Sequence, residues 1–397
     1  MIHRVRFASF LLGLIAAAVA GAVPLIAAPS ADELTALFTQ VDGAVQVAGS
    51  GVRGDPLATP WQVIRSGVAV RLPKGATAGI VCSSRRFVRL RGPLSWTLSG
   101  AACAAGKELT PGEYAIVAPQ AGRFKVVDGL QTLEREIRGG DGGDPLTPLL
   151  LAPRNTVLRS PRPTVSWQRL PGAVEYRVEW TGHSTGYETR LNGGDLSCKG
   201  DRDGGNLCSL PWPADRPDLA PDEIFFLRIA AHGGLAEPWH WTEAVEVHTQ
   251  KVSAAETLEG RLRDLSNLGL AGPALDTARA GLLAQGGLYA DAAEAYRRAL
   301  TAAPTPELRV TLGDVYLTMG LFALAEPRYR EAAKDGGPSV QAAAAFGIGR
   351  IEYARAHYRE AAMDFRQAQK LYGEQASGEE EAAARRAAER AAAKSSQ

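Results

Sequence analysis

Four cysteines fall as two close pairs, Cys82 with Cys103 and Cys198 with Cys208, each inside a stretch of short alternating segments. An even cysteine count in an exported chain is ordinarily a disulfide set, and pairing by neighbourhood is the expected one of three connectivities. In chain-entropy terms, closing each of these short loops contributes about 2 to 3 kcal/mol. A redox role would instead require a low-pKa thiol in an electropositive site. Two other patterns touch on chemistry. Gly182-His183-Ser184-Thr185-Gly186 fits the Gly-x-Ser-x-Gly spacing of a nucleophile elbow, which needs a strand before the serine and a helix after it. The next five residues, Tyr187-Glu188-Thr189-Arg190-Leu191, alternate and are bounded by glycines, so the spacing predicts a hairpin turn. Asp201-Arg202-Asp203-Gly204-Gly205-Asn206 has acidic residues at calcium-loop spacing, but its Asn and Gly are reversed and no Glu closes it. The six histidines show no His-Glu-x-x-His spacing, and no Cys-x-x-Cys pair occurs. No catalytic residue, metal site or cofactor is expected.

One basic cluster stands out. In Arg85-Arg86-Phe87-Val88-Arg89-Leu90-Arg91, a strand would put Arg89 and Arg91 on one face and Val88 and Leu90 on the other. Arg85, Arg86, Arg89 and Arg91 are thus a candidate patch for an anionic partner, against the plainer alternative of a solvated strand face. With 44 Lys plus Arg against 43 Asp plus Glu, the chain lacks the basic excess that phosphate-backbone binding needs. Nucleic acid is excluded as a partner.

The elements that must position these residues fall into regions. From Phe7 to Ala28 there are 22 uncharged residues, preceded by His3, Arg4 and Arg6, and the stretch contains Ala20-Gly21-Ala22. Residues 1–28 are expected to be a signal peptide or an N-terminal membrane anchor, with export of the rest to the periplasm or cell surface in either case. No cysteine follows the run, which argues against a lipid-modified terminus.

Residues 38–128 alternate with period two between glycines and prolines, as in Ala44-Val45-Gln46-Val47 and Val68-Ala69-Val70-Arg71-Leu72. The string Val41-Asp42-Gly43-Ala44-Val45-Gln46-Val47, followed by Ile64-Arg65-Ser66-Gly67-Val68 and Ala76-Thr77-Ala78-Gly79-Ile80-Val81, resembles the FecR-like β domain of bacterial envelope proteins. Regulators of that type carry an anti-sigma segment before their membrane helix. Only six residues precede the apolar run here, so no sigma-factor role is expected.

A glycine-rich stretch at 138–147 reads as a flexible linker. Residues 148–250 form a second β region in which Tyr176, Val178 and Trp180 alternate with Glu175, Arg177 and Glu179. With Trp167 and the Leu219-Ala220-Pro221 lead into Phe225, this region resembles a fibronectin type III module, which implies a two-sheet sandwich. Phe225 stands where that family usually has a corner tyrosine. The polar stretch from Asn192 to Pro221 is expected to be a loop pinned by Cys198 and Cys208.

From Ser253 the period changes to three and four, and Ser253-Ala254-Ala255-Glu256 predicts a capping-box start. Gly287-x-Tyr289-x-x-Ala292-x-x-x-Tyr296-x-x-Ala299 returns from Gly320 at an offset of 33 and from Ala356 at a further 36. These copies are similar to the tetratricopeptide repeat, a helix pair of about 34 residues. The resemblance implies a helical solenoid over 253–373, whose concave groove would bind partner proteins. Its inward positions map to Gln285, Asp314, Leu317, Phe346, Arg350 and Tyr353. Arg350 with Tyr353 would hold a carboxylate beside an apolar side chain. In the plainer alternative, Phe346 and Tyr353 simply fill the groove. Residues 374–397 form a charged, Ala-rich tail, expected to be a solvated helix that frays.

The expected fold is therefore multidomain, all-β plus all-α. The expected function is a non-enzymatic adaptor or scaffold binding envelope proteins through the repeats, with the membrane involved only if the first segment is retained. The alternative is a ligand- or glycan-sensing β module whose repeats serve oligomerisation.

Overall fold

The computed structural model describes residues 35–49, 57–60, 62–84, 86–109, 146–183, 186–196, 198–200, 206–234, 238–268, 270–375 and 377–396. The leader at 1–28, Arg85, Ser184, most of the 138–147 linker and residues 201–205 lie outside them. The architecture is β-rich in its first part and helical in its last.

The first β unit contains β1 (Thr35–Asp42), β2 (Gln46–Ala48), β3 (Val63–Arg65), β4 (Ala69–Leu72), β5 (Thr77–Cys82), β6 (Arg86–Arg91), β7 (Leu94–Thr97), the short helix α1 (Gly100–Ala104) and β8 (Lys107–Glu108). They build a five-stranded sheet in the order β3-β1-β5-β6-β8 and a three-stranded sheet in the order β2-β4-β7. Phe38, Ile80 and Leu90 of the larger sheet share a core with Val47, Val70 and Leu72 of the smaller one. Strand β1 is buried on both faces, since Leu37 and Thr39 are covered as fully as Ala36 and Phe38. That is why its sequence runs apolar instead of alternating. Cys82, at the end of β5, is bonded to Cys103 of α1.

The second β unit comprises β9 (Leu150–Ala152), β10 (Thr156–Leu158), β11 (Thr164–Gln168), β12 (Glu175–Gly182), β13 (Gly186–Asn192), β14 (Cys198–Gly200), β15 (Asn206–Pro211), β16 (Ile224–His232), β17 (His240–Trp241) and β18 (Val245–Thr249). One sheet runs β14-β15-β11-β9, and the other runs β10-β18-β16-β12-β13 with β17 beside β16. The alternation in β12 buries Tyr176, Val178 and Trp180 against Trp167, Phe225, Leu227 and Ile229, so the two sheets face each other across one core. The buried Tyr176 hydroxyl accepts the Leu170 N–H at 2.9 Å, and burial raises the phenol above its ordinary pKa. The stretch from Asn192 to Pro221 is not the expected loop: it contains β14 and β15. Apolar Leu207 and Leu210 flank a fully buried Cys208, and Cys208 lies opposite Cys198 in the register of the pair, so the disulfide joins two paired strands.

The helical part runs α2 (Val252–Ser266), α3 (Gly272–Gln285), α4 (Tyr289–Ala302), α5 (Pro306–Thr318), α6 (Phe322–Asp335), α7 (Pro338–Ala354), α8 (Tyr358–Gly373) and α9 (Gly378–Ser395). Helix α2 begins one residue before the expected capping box. Its N-cap is Lys251, without a side-chain bond, because the chain enters the helix two residues after β18. Ser253 therefore lies inside the first turn, where its carbonyl accepts from the Thr257 hydroxyl. Helices α3 to α8 form three successive pairs in the register of the sequence repeat. Ala292, Ala325 and Ala361 are fully buried, as are Tyr296, Tyr329 and Phe365, and Ala299, Ala332 and Ala368. Proline opens α3, α5 and α7, where its missing N–H costs no intrahelical bond.

Close approach explains the small residues. A Cβ at Gly347 would lie 2.4 Å from the Tyr329 ring, so that ring fits between α5 and α7 only because the position carries no side chain. The tail beyond residue 374 is not a solvated, fraying helix. Ala384, Ala387, Ala388 and Ala391 of α9 are buried in the helical core. Their spacing makes an apolar stripe too narrow to recognise among so many surface alanines.

Candidate functional site

The six groove positions divide into three kinds of place. Leu317, Phe346 and Tyr353 are buried in the helical core; Phe346 packs on Phe365 with ring centres 5.1 Å apart, and Tyr353 meets Tyr358 edge-on at 5.2 Å. Gln285, at the end of α3, points to the first β unit: its Nε2 donates to the Pro60 carbonyl at 2.8 Å, and its Oε1 accepts from Arg261 at 3.1 Å. Asp314 and Arg350 are brought together. The Tyr329 hydroxyl donates to Asp314 at 2.7 Å, and the Arg350 guanidinium lies 3.8 Å from the same carboxylate. Burial, then the Asp314 charge, pushes the Tyr329 phenol well above its ordinary value, so it stays neutral and donates. The Nε of Arg350 and the hydroxyl of Tyr296 are buried without a hydrogen-bond partner. Arg350 thus holds Asp314 across α5 and α7. The expected pairing of Arg350 with Tyr353 around a foreign carboxylate is not built as an open cleft.

A second polar cluster, not visible in the sequence, joins α6, α7 and α8. Arg355 reaches Glu326 at 2.8 Å and Glu352 at 3.4 Å, Arg330 reaches Glu326 at 2.6 Å, and His357 meets Glu352 at 2.7 Å. Burial raises the Glu326 carboxyl, but hydrogen bonds from Arg355 and Arg330 outweigh it and leave the group below its usual range. Asp364 goes the other way. Burial, then the charge of Glu352, pushes its carboxyl up to about 6.

In the basic run, Arg86 is a structural residue: its guanidinium donates to the Ala104 and Gly106 carbonyls at 3.0 Å each and meets Glu108 at 3.2 Å. Arg89 and Arg91 are exposed on β6, with Arg89 over the Phe87 ring at 5.9 Å. Arg85 falls outside the described residues. All four cysteines stand in the two disulfides described above, Cys82–Cys103 and Cys198–Cys208. At Gly182-x-x-x-Gly186 the chain passes from β12 into β13, its antiparallel partner, and no helix comes after the turn. Among the described residues, no group of three or more His, Cys, Asp or Glu is arranged to hold a metal ion. No helix of the described residues is long and apolar enough to cross a membrane.

The contact that sequence reasoning missed most completely is a tether between the sandwich and the helices. Arg154, almost fully buried, donates from Nε to the Met319 carbonyl at 2.8 Å, and Asn155 donates to the same oxygen at 3.2 Å. Next along the chain, the Thr156 hydroxyl and the Val157 N–H donate to the Gly287 carbonyl at 3.1 and 2.9 Å. Leu149 and Leu151 pack on the helical core beside them. Charge-assisted bonds to buried carbonyls are among the stronger neutral-pH contacts. Leu37 of β1 is likewise buried among Leu258, Leu262 and Leu265 of α2. Both β units are therefore docked on the helical array by buried contacts. Only the Arg-Asn pair after Pro153 offered a sequence signal, and its partner is more than 160 residues away.

No protein-family model matches the chain, and no curated protein matches it. Among solved structures it has a similarity to Astrotactin-2, described as a conserved vertebrate-specific and perforin-like membrane protein involved in neuronal development. The identity is 14%, over 52% of this chain and 36% of that one, with a TM-score of 0.18. This chain spans about a third of that protein's length, and so low a score carries no argument on fold or function.

Proposed function

We propose that this chain is a non-enzymatic, exported adaptor. In this reading a FecR-like β unit and a fibronectin III-like sandwich hold a short tetratricopeptide-type array at a set angle to partner proteins of the cell envelope. The observation that carries it is the double docking: Arg154 to Val157 grip the turns of the first two helix pairs, and Leu37 closes the first helix against a sheet. Such rigid attachment suits presentation of a surface, since an array on a loose linker would lose its orientation. The disulfides agree with export, because they persist in oxidising compartments.

A specific observation also favours the sensing alternative: Arg89 and Arg91 stand exposed side by side on the face of β6, where an anionic ligand or glycan would meet them. One experiment separates the two. A photo-crosslinking amino acid is placed in the full chain either at Met363, exposed on α8, or at Arg89. The adaptor reading expects discrete protein adducts from position 363 in envelope-producing cells. Adducts from position 89 alone would replace it by the sensing reading.

A further inference from the structure

The three helix pairs turn with one backbone geometry. The N–H of Leu288 donates to the Leu283 carbonyl at 3.0 Å, that of Leu321 to Tyr316 at 2.8 Å and that of His357 to Glu352 at 2.9 Å. The residue before each donor has positive φ: 75° at Gly287, 76° at Gly320 and 63° at Ala356. The first two turns are receptors already in use. The Gly287 carbonyl takes Thr156 and Val157, and the Met319 carbonyl takes Arg154 and Asn155. The fit at the first turn is close enough that a Cβ on Gly287 would stand 3.0 Å from Val157.

Stacking places the third turn in line with the other two, yet its Ala356 and His357 are exposed where Gly320 and Leu321 are buried. Its side chains also differ in kind. Buried Leu288 and Leu321 give way to His357, and Leu283 and Tyr316 give way to Glu352. Around Asp364 of α8 stand Glu352 from α7, Glu326 from α6 and Glu360 from α8, against Arg330 from α6, while Arg355 at the end of α7 and His357 pair with Glu352.

We propose that the third turn receives an extended, arginine-bearing segment of a partner protein, in the way that the second turn receives Arg154 and Asn155. The chain supplies the template for this mode at two consecutive turns, and the surplus of carboxylates supplies the charge complement. The Asp364 carboxyl is raised first by burial and then by the charge of Glu352, with Glu326 and Glu360 adding to it and Arg330 opposing; an incoming guanidinium would relieve the charge crowding.

The proposal rests on the adaptor reading, and its test is direct. A synthetic peptide of the chain's own docking sequence, residues 151–158, is titrated into the full-length protein by calorimetry, beside a version carrying Arg154→Ala and a scrambled version of equal charge. Saturable one-to-one binding is expected, weakened about tenfold by loss of one charge-assisted bond in the Arg154→Ala peptide. Glu352→Gln and Glu360→Gln in the protein should each weaken it about threefold. Glu360 is exposed, so its variant keeps the test readable if Glu352→Gln does not fold. Absence of saturation, equal binding of the scrambled peptide, or affinity unmoved by either protein variant would overturn the proposal. Loss of the third turn with adducts from position 363 intact removes this site alone; loss of the adducts removes the adaptor reading itself.

Discussion

The two ends of the helical array are closed by different means. At the start, α2 and α3 bury Leu258, Leu262, Leu265 and Leu282 against Leu37 and Val63, which belong to the first β sheet. At the finish, α9 covers the third helix pair with Ala384, Ala387, Ala388 and Ala391. A repeat unit cannot bury its own faces, so each end needs a cover. The leucine end borrows that cover from another region and couples the helices to the sheet. The alanine end uses the chain's own last helix at close range, with little apolar area for each residue buried. One closure therefore joins regions, and the other only terminates the stack.

Opening the leucine closure should cost the most stability. Leu37→Ala should destabilise the folded chain by about 2 to 5 kcal/mol, because the cavity opens between a sheet and helices that cannot both collapse into it. Chemical denaturation followed by tryptophan fluorescence, which reports both β units because all seven tryptophans lie between residues 61 and 241, and by far-ultraviolet dichroism, which reports mainly the helices, should show both transitions move. A shift in dichroism alone would mean that the two regions are not coupled. At the other end the opposite change is the informative one. Ala391→Leu should cost about 1 to 3 kcal/mol by overpacking a helix contact built for small residues. Limited proteolysis should then cut at the α8–α9 junction while the sandwich stays intact, and unchanged digestion would show that the alanine contact has slack.

A pH measurement sharpens the contrast near the alanine end. The folded Asp364 carboxyl, raised to about 6, lies above its ordinary value of 3.8, so its ionisation opposes folding. The stability it allows is greatest at low pH and is lost as pH rises from about 4 to about 6. The group is half exposed, and after discounting for solvent the loss is about 1 to 2 kcal/mol. Asp364→Asn should recover that amount at pH 7.5 and little at pH 4, read as the difference in melting temperature. The smallest effect concerns the third turn. Ala356, at φ 63°, occupies a conformation that glycine adopts without strain, and Ala356→Gly should stabilise by about 1 kcal/mol. The matching change at the first turn, Gly287→Ala, should cost more than this gain, because its Cβ meets Val157.

Much of the candidate site was legible as register and little of it as exposure. The repeat at offsets of 33 and 36 aligns Tyr296, Tyr329 and Phe365 at one position of the pattern, and the structure buries all three. The resemblance to the repeat family placed Leu317, Phe346 and Tyr353 on inward helix faces, but a pattern along the chain cannot say whether such a face meets solvent or the chain itself. Gln285 was likewise placed on the inner face and instead bonds to Pro60, a contact across 225 residues. Arg86 looked like one of a row of surface charges; its neighbours Ala104 and Gly106 come to it through the Cys82–Cys103 closure.

By itself the sequence determined what local rules can set. Alternation at Tyr176, Val178 and Trp180 made a half-buried strand, glycines at 287 and 320 made left-handed turns, and spacing paired the cysteines. Which faces remain open is set by packing between distant elements. Burial of Leu37, the grip of Arg154 on Met319 and the crowding of carboxylates around Asp364 depend on elements far apart along the chain, and no periodicity within one element encodes the neighbour that will cover it.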